Sequence, residues 1–134
     1  MKKLLIILIT AVAVLLIFSF SKSSDYEENH NLSPSGFLEY YEMNPGKVID
    51  VRTEREFNAG HLAITDALYD FRSDEFHDAI ENLDKEDTYY LYCRTGNRSG
   101  QAAELMREKG FNNVYNIGGF HELASTGLEA IKID

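Results

Sequence analysis

Apolar and polar positions change their spacing several times along the chain, and each change marks an expected element. Leu4 to Phe20 is an apolar run whose only polar members are Thr10 and Ser19, so it has no polar face to turn toward water. From Leu32 onward the pattern becomes that of a folded domain. Ser33 followed by Pro34 reads as an N-cap with proline in the first helical turn, and Phe37, Tyr40 and Tyr41 recur at helical spacing until Asn44-Pro45-Gly46 ends them. Val48-Ile49-Asp50-Val51 predicts a short strand, and Thr53-Glu54-Arg55-Glu56 is a capping box that opens a helix directly after it. Ala67-Leu68-Tyr69 predicts a second short strand, after which Ser73 caps a helix carrying Phe76, Ala79, Ile80 and Leu83 on one face.

The second half repeats the alternation. Tyr89-Tyr90-Leu91-Tyr92 is a continuous run of bulky strand formers, as expected of a strand buried on both faces, and it delivers Cys93 at its carboxyl end. Ser99 is expected to begin a helix with Ala102, Leu105 and Met106 on one side, stopped by Gly110. Val114-Tyr115-Asn116-Ile117 predicts a further strand, followed by Gly118-Gly119 and a helical stretch from Phe120 to Ala124. Strands alternating with helices predict an α/β fold on a mainly parallel sheet, and such sheets bind ligands beyond the carboxyl ends of their strands. Cys93 occupies such an end.

Composition narrows this picture. With 134 residues, 44% of them hydrophobic and 26% charged, the chain is expected to form one globular domain. Lys2 and Lys3 before the Leu4 to Phe20 run make residues 1–21 a signal peptide, cleaved after Ser21, or a membrane anchor. Asp25, Glu27 and Glu28 follow the run, so the positive-inside rule places what comes next outside the cytoplasm. It would be periplasmic or secreted after cleavage, or otherwise anchored in the inner membrane with the domain outside. Any membrane contact is then confined to residues 4–20 of an uncleaved chain. Residues 22–31 read as a polar tether and 32–134 as the domain. A net charge of -9 removes the basic field that nucleic acid would require.

Cys93 is the sole cysteine, which excludes an internal disulfide and every multi-cysteine metal centre. His30, His61, His77 and His121 fall at no metal-ligand spacing, so no metal and no cofactor are expected. His61 reads as a packing or loop-bonding residue. The sequence Cys93-Arg94-Thr95-Gly96-Asn97-Arg98-Ser99, set between a buried strand and a helix start, is suited to an anion-binding nest. Gly96 permits the positive φ that turns consecutive N–H groups inward, and the helix start adds its positive dipole end. Arg94 and Arg98 bring two full charges beside the thiol. Each feature favours thiolate, so Cys93 is expected to ionise below the ordinary thiol value of about 8.5.

These residues resemble those of a known family. The Cys93 to Ser99 loop, together with Val48-Ile49-Asp50-Val51-Arg52, Glu56-Phe57, Gly60-His61-Leu62 and Gly118-Gly119-Phe120, is similar to a single-domain rhodanese, a sulfurtransferase. The resemblance implies an open, mainly parallel five-stranded sheet flanked by helices on both faces. It implies that Cys93 takes a sulfane sulfur from a small donor anion, thiosulfate or a persulfide, and passes it as a persulfide to a thiol or cyanide acceptor. Carried over by position, Arg98 and the N–H groups of Arg94, Thr95, Gly96, Asn97, Arg98 and Ser99 would cradle the persulfide and the donor's anionic end, with Arg94 at the pocket mouth. Asp50 and Arg52 match the family's Asp-x-Arg and would brace the loop or form a structural ion pair. The stretch after His61 departs from the family pattern, leaving one wall of the pocket open to question.

Two alternatives stand beside this reading. Dual-specificity phosphatases and arsenate reductases use a related cysteine loop, but Cys93 and Arg98 enclose a nest one residue shorter than the phosphatases use. The other alternative is a noncatalytic binding or sulfur-carrier module.

Overall fold

Hydrogen bonding between the strands of the main sheet is parallel throughout, as the helix–strand alternation requires. The computed structural model describes residues 30–132. The expected signal or anchor segment and nearly all of the tether lie outside the described residues.

Ser33 caps α1 (Pro34–Met43), accepting from the Gly36 N–H at 3.1 Å. After β1 (Lys47–Asp50), Thr53 opens α2 (Glu54–Asn58) through the reciprocal capping box with Glu56. β2 (His61–Leu62) and β3 (Ala67–Leu68) are two-residue strands, and Ser73 caps α3 (Asp74–Ile80). β4 (Thr88–Cys93), α4 (Asn97–Glu108), β5 (Asn113–Gly119), α5 (Phe120–Ser125) and β6 (Ala130–Ile131) complete the order. The main sheet runs β3-β1-β4-β5, while β2 pairs antiparallel with β6.

Three expectations are refined. Among the described residues the main sheet has four strands where five were expected, and a single parallel bridge joins Asn31 to Asn116 of β5. The Leu32 N–H donates to the Asn116 carbonyl, and the chain then enters the Ser33 cap. α3 ends at Ile80, so Leu83 reaches the core from the following turn and not from the helix face. α4 begins at Asn97, ahead of Ser99, because Gly96 serves as its N-cap.

Alternation along β4 divides the core into two layers. Tyr89, Leu91 and Cys93 face one side, with Phe76 and Ile80 of α3 and Ala102, Ala103 and Met106 of α4. Tyr90 and Tyr92 face the other, with Phe37 of α1 and Phe120 and Leu123 of α5. The buried tyrosines are core fillers with satisfied hydroxyls: Tyr89 donates to the Asp84 carbonyl, Tyr90 to the Asn44 carbonyl, and Tyr92 lies 2.8 Å from Thr65 Oγ1. Burial first, then the Asp50 charge, pushes the Tyr92 phenol up to about 12, so it remains a neutral donor.

Between Leu91 and Tyr92 the β4–β5 register slips. Leu91 pairs with Asn116, but Tyr92 pairs with Gly118 and Cys93 with Gly119. Bulges are uncommon in parallel pairs. This one skips Ile117 and brings two residues without side chains alongside the cysteine end of β4.

At the end of β1 the Asp50 carboxylate and Arg52 guanidinium are 0% and 4% exposed and form a close pair, with Nη2 to Oδ2 at 2.7 Å. Arg52 Nη2 also donates to the Gly60 carbonyl at 2.7 Å, and the guanidinium lies 4.5 Å from the Phe120 ring centre. The geometry is that of a structural ion pair. Its bond to Gly60 anchors the turn before β2. Removing one partner strands a buried charge, so Arg52→Ala is expected to cost about 3–5 kcal/mol. Urea denaturation of the full-length chain checks this, and a loss below about 1 kcal/mol would mean that water solvates Asp50 once the arginine is gone.

Candidate active site

β4 carries Cys93 to its carboxyl end, where the chain turns sharply into α4. Gly96 makes the turn with φ at 91°, a left-handed conformation that side-chain-bearing residues rarely adopt. The Gly96 N–H thereby donates to Cys93 Sγ at 3.1 Å, and the Ser99 hydroxyl lies 3.4 Å from the same sulfur. Cys93 is 0% exposed. Burial alone pushes its thiol up, but the Ser99 hydroxyl and the N–H groups of Ser99, Thr95 and Gly96 outweigh it and bring the thiol below its ordinary value. The expected nest is therefore present, and it works chiefly through hydrogen bonds to a dry sulfur.

β5 backs the loop at very close range. A Cβ on Gly119 would sit 2.7 Å from the Arg94 carbonyl oxygen and 3.2 Å from Thr95 Cα, closer than real side chains approach. The register slip supplies glycine where only glycine fits.

The two arginines of the loop have different fates. Arg98 is held by Glu56 of α2 in a two-pronged pair, Nη1 to Oε2 at 2.8 Å and Nη2 to Oε1 at 2.7 Å. The pair ties the first turn of α4 to α2. The Arg98 hydrogen bonds are the main reason that the Glu56 carboxyl is lowered from 4.5 to about 2, against burial and with help from the Thr53 N–H and hydroxyl. Arg94 is exposed and forms no ion pair among the described residues. It lines a cavity of about 200 Å³ together with Arg52, Glu56, Gly60, Phe120 and His121. Thr95 and Asn97 are at the surface or near it, and the Asn97 side chain accepts from Gln101.

Two residues to which sequence reasoning gave no role at the cysteine loop organise this site. Glu56 was legible as half of a capping box and within the Glu56-Phe57 motif, yet the same carboxylate serves Thr53 and Arg98 together. Asn116 accepts from Ser99 Oγ at 2.8 Å and donates to the Gly96 carbonyl at 3.1 Å. A polar residue inside the apolar strand Val114 to Ile117 was the available signal. His61 stacks on Phe57 at 3.7 Å and its Nδ1 lies 3.1 Å from the Phe57 carbonyl, a packing role. Among the described residues, no three His, Cys, Asp or Glu side chains are grouped to hold a metal ion.

The fold is an α/β domain with a single cysteine nested at the end of a central parallel strand, over a helix start. Residues 33–126 match the family model of the rhodanese-like domain, and the chain belongs to that family. It is 36% identical over 78 residues to the thiosulfate sulfurtransferase PspE of Escherichia coli K12, covering 57% of this chain and 72% of PspE. It is 34% identical over 99 residues to a tRNA uridine(34) hydroxylase of Chlamydia abortus, covering 69% of this chain but only 30% of that protein. The solved structure of a rhodanese with anions from E. coli superposes with a TM-score of 0.53 at 31% identity, covering 64% of this chain and 96% of that one.

Two variants test the architecture of the loop. The folded Glu56 carboxyl ionises near 2 against 4.5 ordinarily, so its contribution to stability is complete above about pH 4.5 and is lost as the pH falls toward 2. Glu56→Gln is expected to lower stability at pH 7 by about 1–3 kcal/mol and to flatten the acid limb of the stability profile. Urea midpoints measured from pH 2 to 7 check this, and an unchanged acid limb would remove Glu56 as the brace. Gly119→Ala is expected to displace the Arg94 and Thr95 backbone, costing about 1–3 kcal/mol and slowing alkylation of Cys93 at neutral pH. Unchanged alkylation would show that the loop does not rest on β5.

Proposed function

We propose that the domain is a sulfurtransferase working in two half-reactions through Cys93. In the first, thiolate Sγ attacks the outer sulfur of thiosulfate or a persulfide. An S–S bond forms at Sγ, the donor's S–S bond breaks, and its electron pair leaves with sulfite or a thiolate. In the second, a thiol or cyanide acceptor attacks the terminal sulfur of the Cys93 persulfide and the Cys93 thiolate departs. The observation that carries this reading is the buried Cys93 sulfur surrounded by the Ser99 hydroxyl and loop N–H groups. Those donors favour an anionic sulfur as attacking and as leaving group. The similarity to PspE supports the same chemistry. Arg94, free of any carboxylate partner among the described residues, suits the donor's charged end at the cavity beside the loop. Phosphate chemistry is disfavoured because Glu56 occupies the Arg98 fork. The net charge of -9 disfavours the RNA substrate that the hydroxylase's name carries. The Leu4 to Phe20 run behind Lys2 and Lys3 supports placement outside the cytoplasm.

Intact mass of the full-length protein before and after thiosulfate tests the first half-reaction. Wild type is expected to gain one sulfur atom, removable by cyanide, and Cys93→Ser none. The loading rate is expected to rise with pH as thiolate forms, and to level off below the ordinary thiol range. No mass gain by a demonstrably free thiol would favour the binding-module reading.

A further inference from the structure

Ser99 has one hydroxyl proton and two acceptors within reach. Its Oγ lies 2.8 Å from Asn116 Oδ1 and 3.4 Å from Cys93 Sγ, and the residue is fully buried. The orientation of the Asn116 amide follows from its backbone neighbours. Oδ1 accepts from the Gly118 N–H at 3.1 Å, and Nδ2 donates to the Gly96 carbonyl at 3.1 Å, so the atom facing Ser99 is an oxygen with no proton to give. Ser99 must therefore donate to Asn116 or to the sulfur, and not to both.

We infer that Asn116 is a positioning residue that competes with Cys93 for the single Ser99 proton, so that the hydroxyl turns to the sulfur only when Sγ carries negative charge. This rests on the reading of Cys93 as the nucleophile. With Cys93 as a thiol, its S–H faces Ser99 Oγ, and the Ser99 proton lies on Asn116. When the thiol ionises, a charged acceptor outbids the neutral amide and the proton swings to Sγ. Asn116 Oδ1 keeps the Gly118 N–H meanwhile, so neither state leaves that oxygen bare. Once a sulfane sulfur is attached, Sγ is divalent and uncharged, and the proton returns to Asn116. It swings back as Sγ departs with its electron pair in the second half-reaction. The donor thus favours the attacking and leaving states over the loaded one.

A double-mutant cycle on the full-length protein in detergent tests this. Cys93 is the sole cysteine, so the pH dependence of iodoacetamide alkylation reads its ionisation directly. Ser99→Ala is expected to raise the thiol pKa by about one unit, making alkylation roughly tenfold slower well below it. Asn116→Leu frees the Ser99 proton and is expected to lower the pKa by roughly half a unit with Ser99 present, with no such effect in the Ser99→Ala background. A residue that merely scaffolds the loop would instead shift the pKa equally in both backgrounds, and that result overturns the inference. If Asn116→Leu does not fold, Asn116→Asp keeps the size. Its carboxylate grips the proton harder, so the pKa is expected to rise more with Ser99 than without it, and equal rises overturn the inference. The charged groups around the sulfur, Arg94 in the same loop, Arg98, which interacts with Cys93, and Glu56 and Asp70, which interact with Arg98, are common to the four proteins and cancel in the cycle. Mass gain from thiosulfate is scored separately on wild type. A failed gain with an intact cycle counts against the sulfurtransferase reading and not against the proton competition.

Discussion

An ionised sulfur without access to water has to be solvated by the protein, and the loop from Cys93 to Ser99 is arranged around that demand. Burial disfavours the thiolate; the loop N–H groups, fixed in place before ionisation, offset it together with the Ser99 hydroxyl, which needs only to turn its proton. Those donors converge because β4 ends where α4 begins, with one left-handed glycine between them. The turn in turn needs a backbone surface to lie against, which the register slip of β5 supplies by placing Gly118 and Gly119 opposite Tyr92 and Cys93. The bulge, the glycines and the helix start are one device seen from three elements.

The cations near the site divide by what holds them. Arg52 is neutralised by Asp50 and Arg98 by Glu56, and both guanidiniums serve geometry: one anchors the turn at Gly60, the other locks α4 to α2. Buried pairs of this kind are weak as net stabilisers but costly to break, so they suit parts that must not move. Arg94 alone among the three is exposed and pairs with no carboxylate among the described residues. In a chain of net charge -9, a local positive group backed by oriented N–H groups offsets the repulsion an anion would otherwise meet, which is what the proposed donor requires.

What was legible in the sequence is what depends on neighbours in the chain. Ser33, Thr53 and Ser73 cap the helices they were expected to cap, Gly110 follows the end of α4 with φ at 94°, and Gly96 adopts the positive φ that its loop requires. The strand that delivers Cys93 was visible because four bulky residues in a row have few other uses. What escaped depends on partners far along the chain. The Glu56–Arg98 pair joins positions 42 apart, and a capping glutamate looks complete without its second partner. The β2–β6 ribbon consists of two-residue strands with no periodicity to detect. The fifth strand was expected from the family and not from hydrophobic pattern, and the described residues hold one bridge, Asn31 to Asn116, ahead of the proline-led helix.

The spacing within the loop explains why a hydroxyl and not a guanidinium meets the sulfur. α4 starts at Asn97, and each residue turns its side chain by about 100°. Ser99, Ala102, Ala103 and Met106 fall on one inward face, and all four are buried. Arg98 precedes that face by one step and is rotated off it, toward Glu56. The apolar packing of Ala102, Ala103 and Met106 against β4 therefore fixes the helix rotation, and that rotation selects Ser99 as the side chain over Cys93. An insertion of one residue between Cys93 and Asn97 would leave the packed face of α4 in place but lengthen the turn, moving the loop N–H groups away from Sγ. Core packing and thiol chemistry are thus set by the same helical phase, which is why Cys93 belongs at once to the apolar core and to the anion nest.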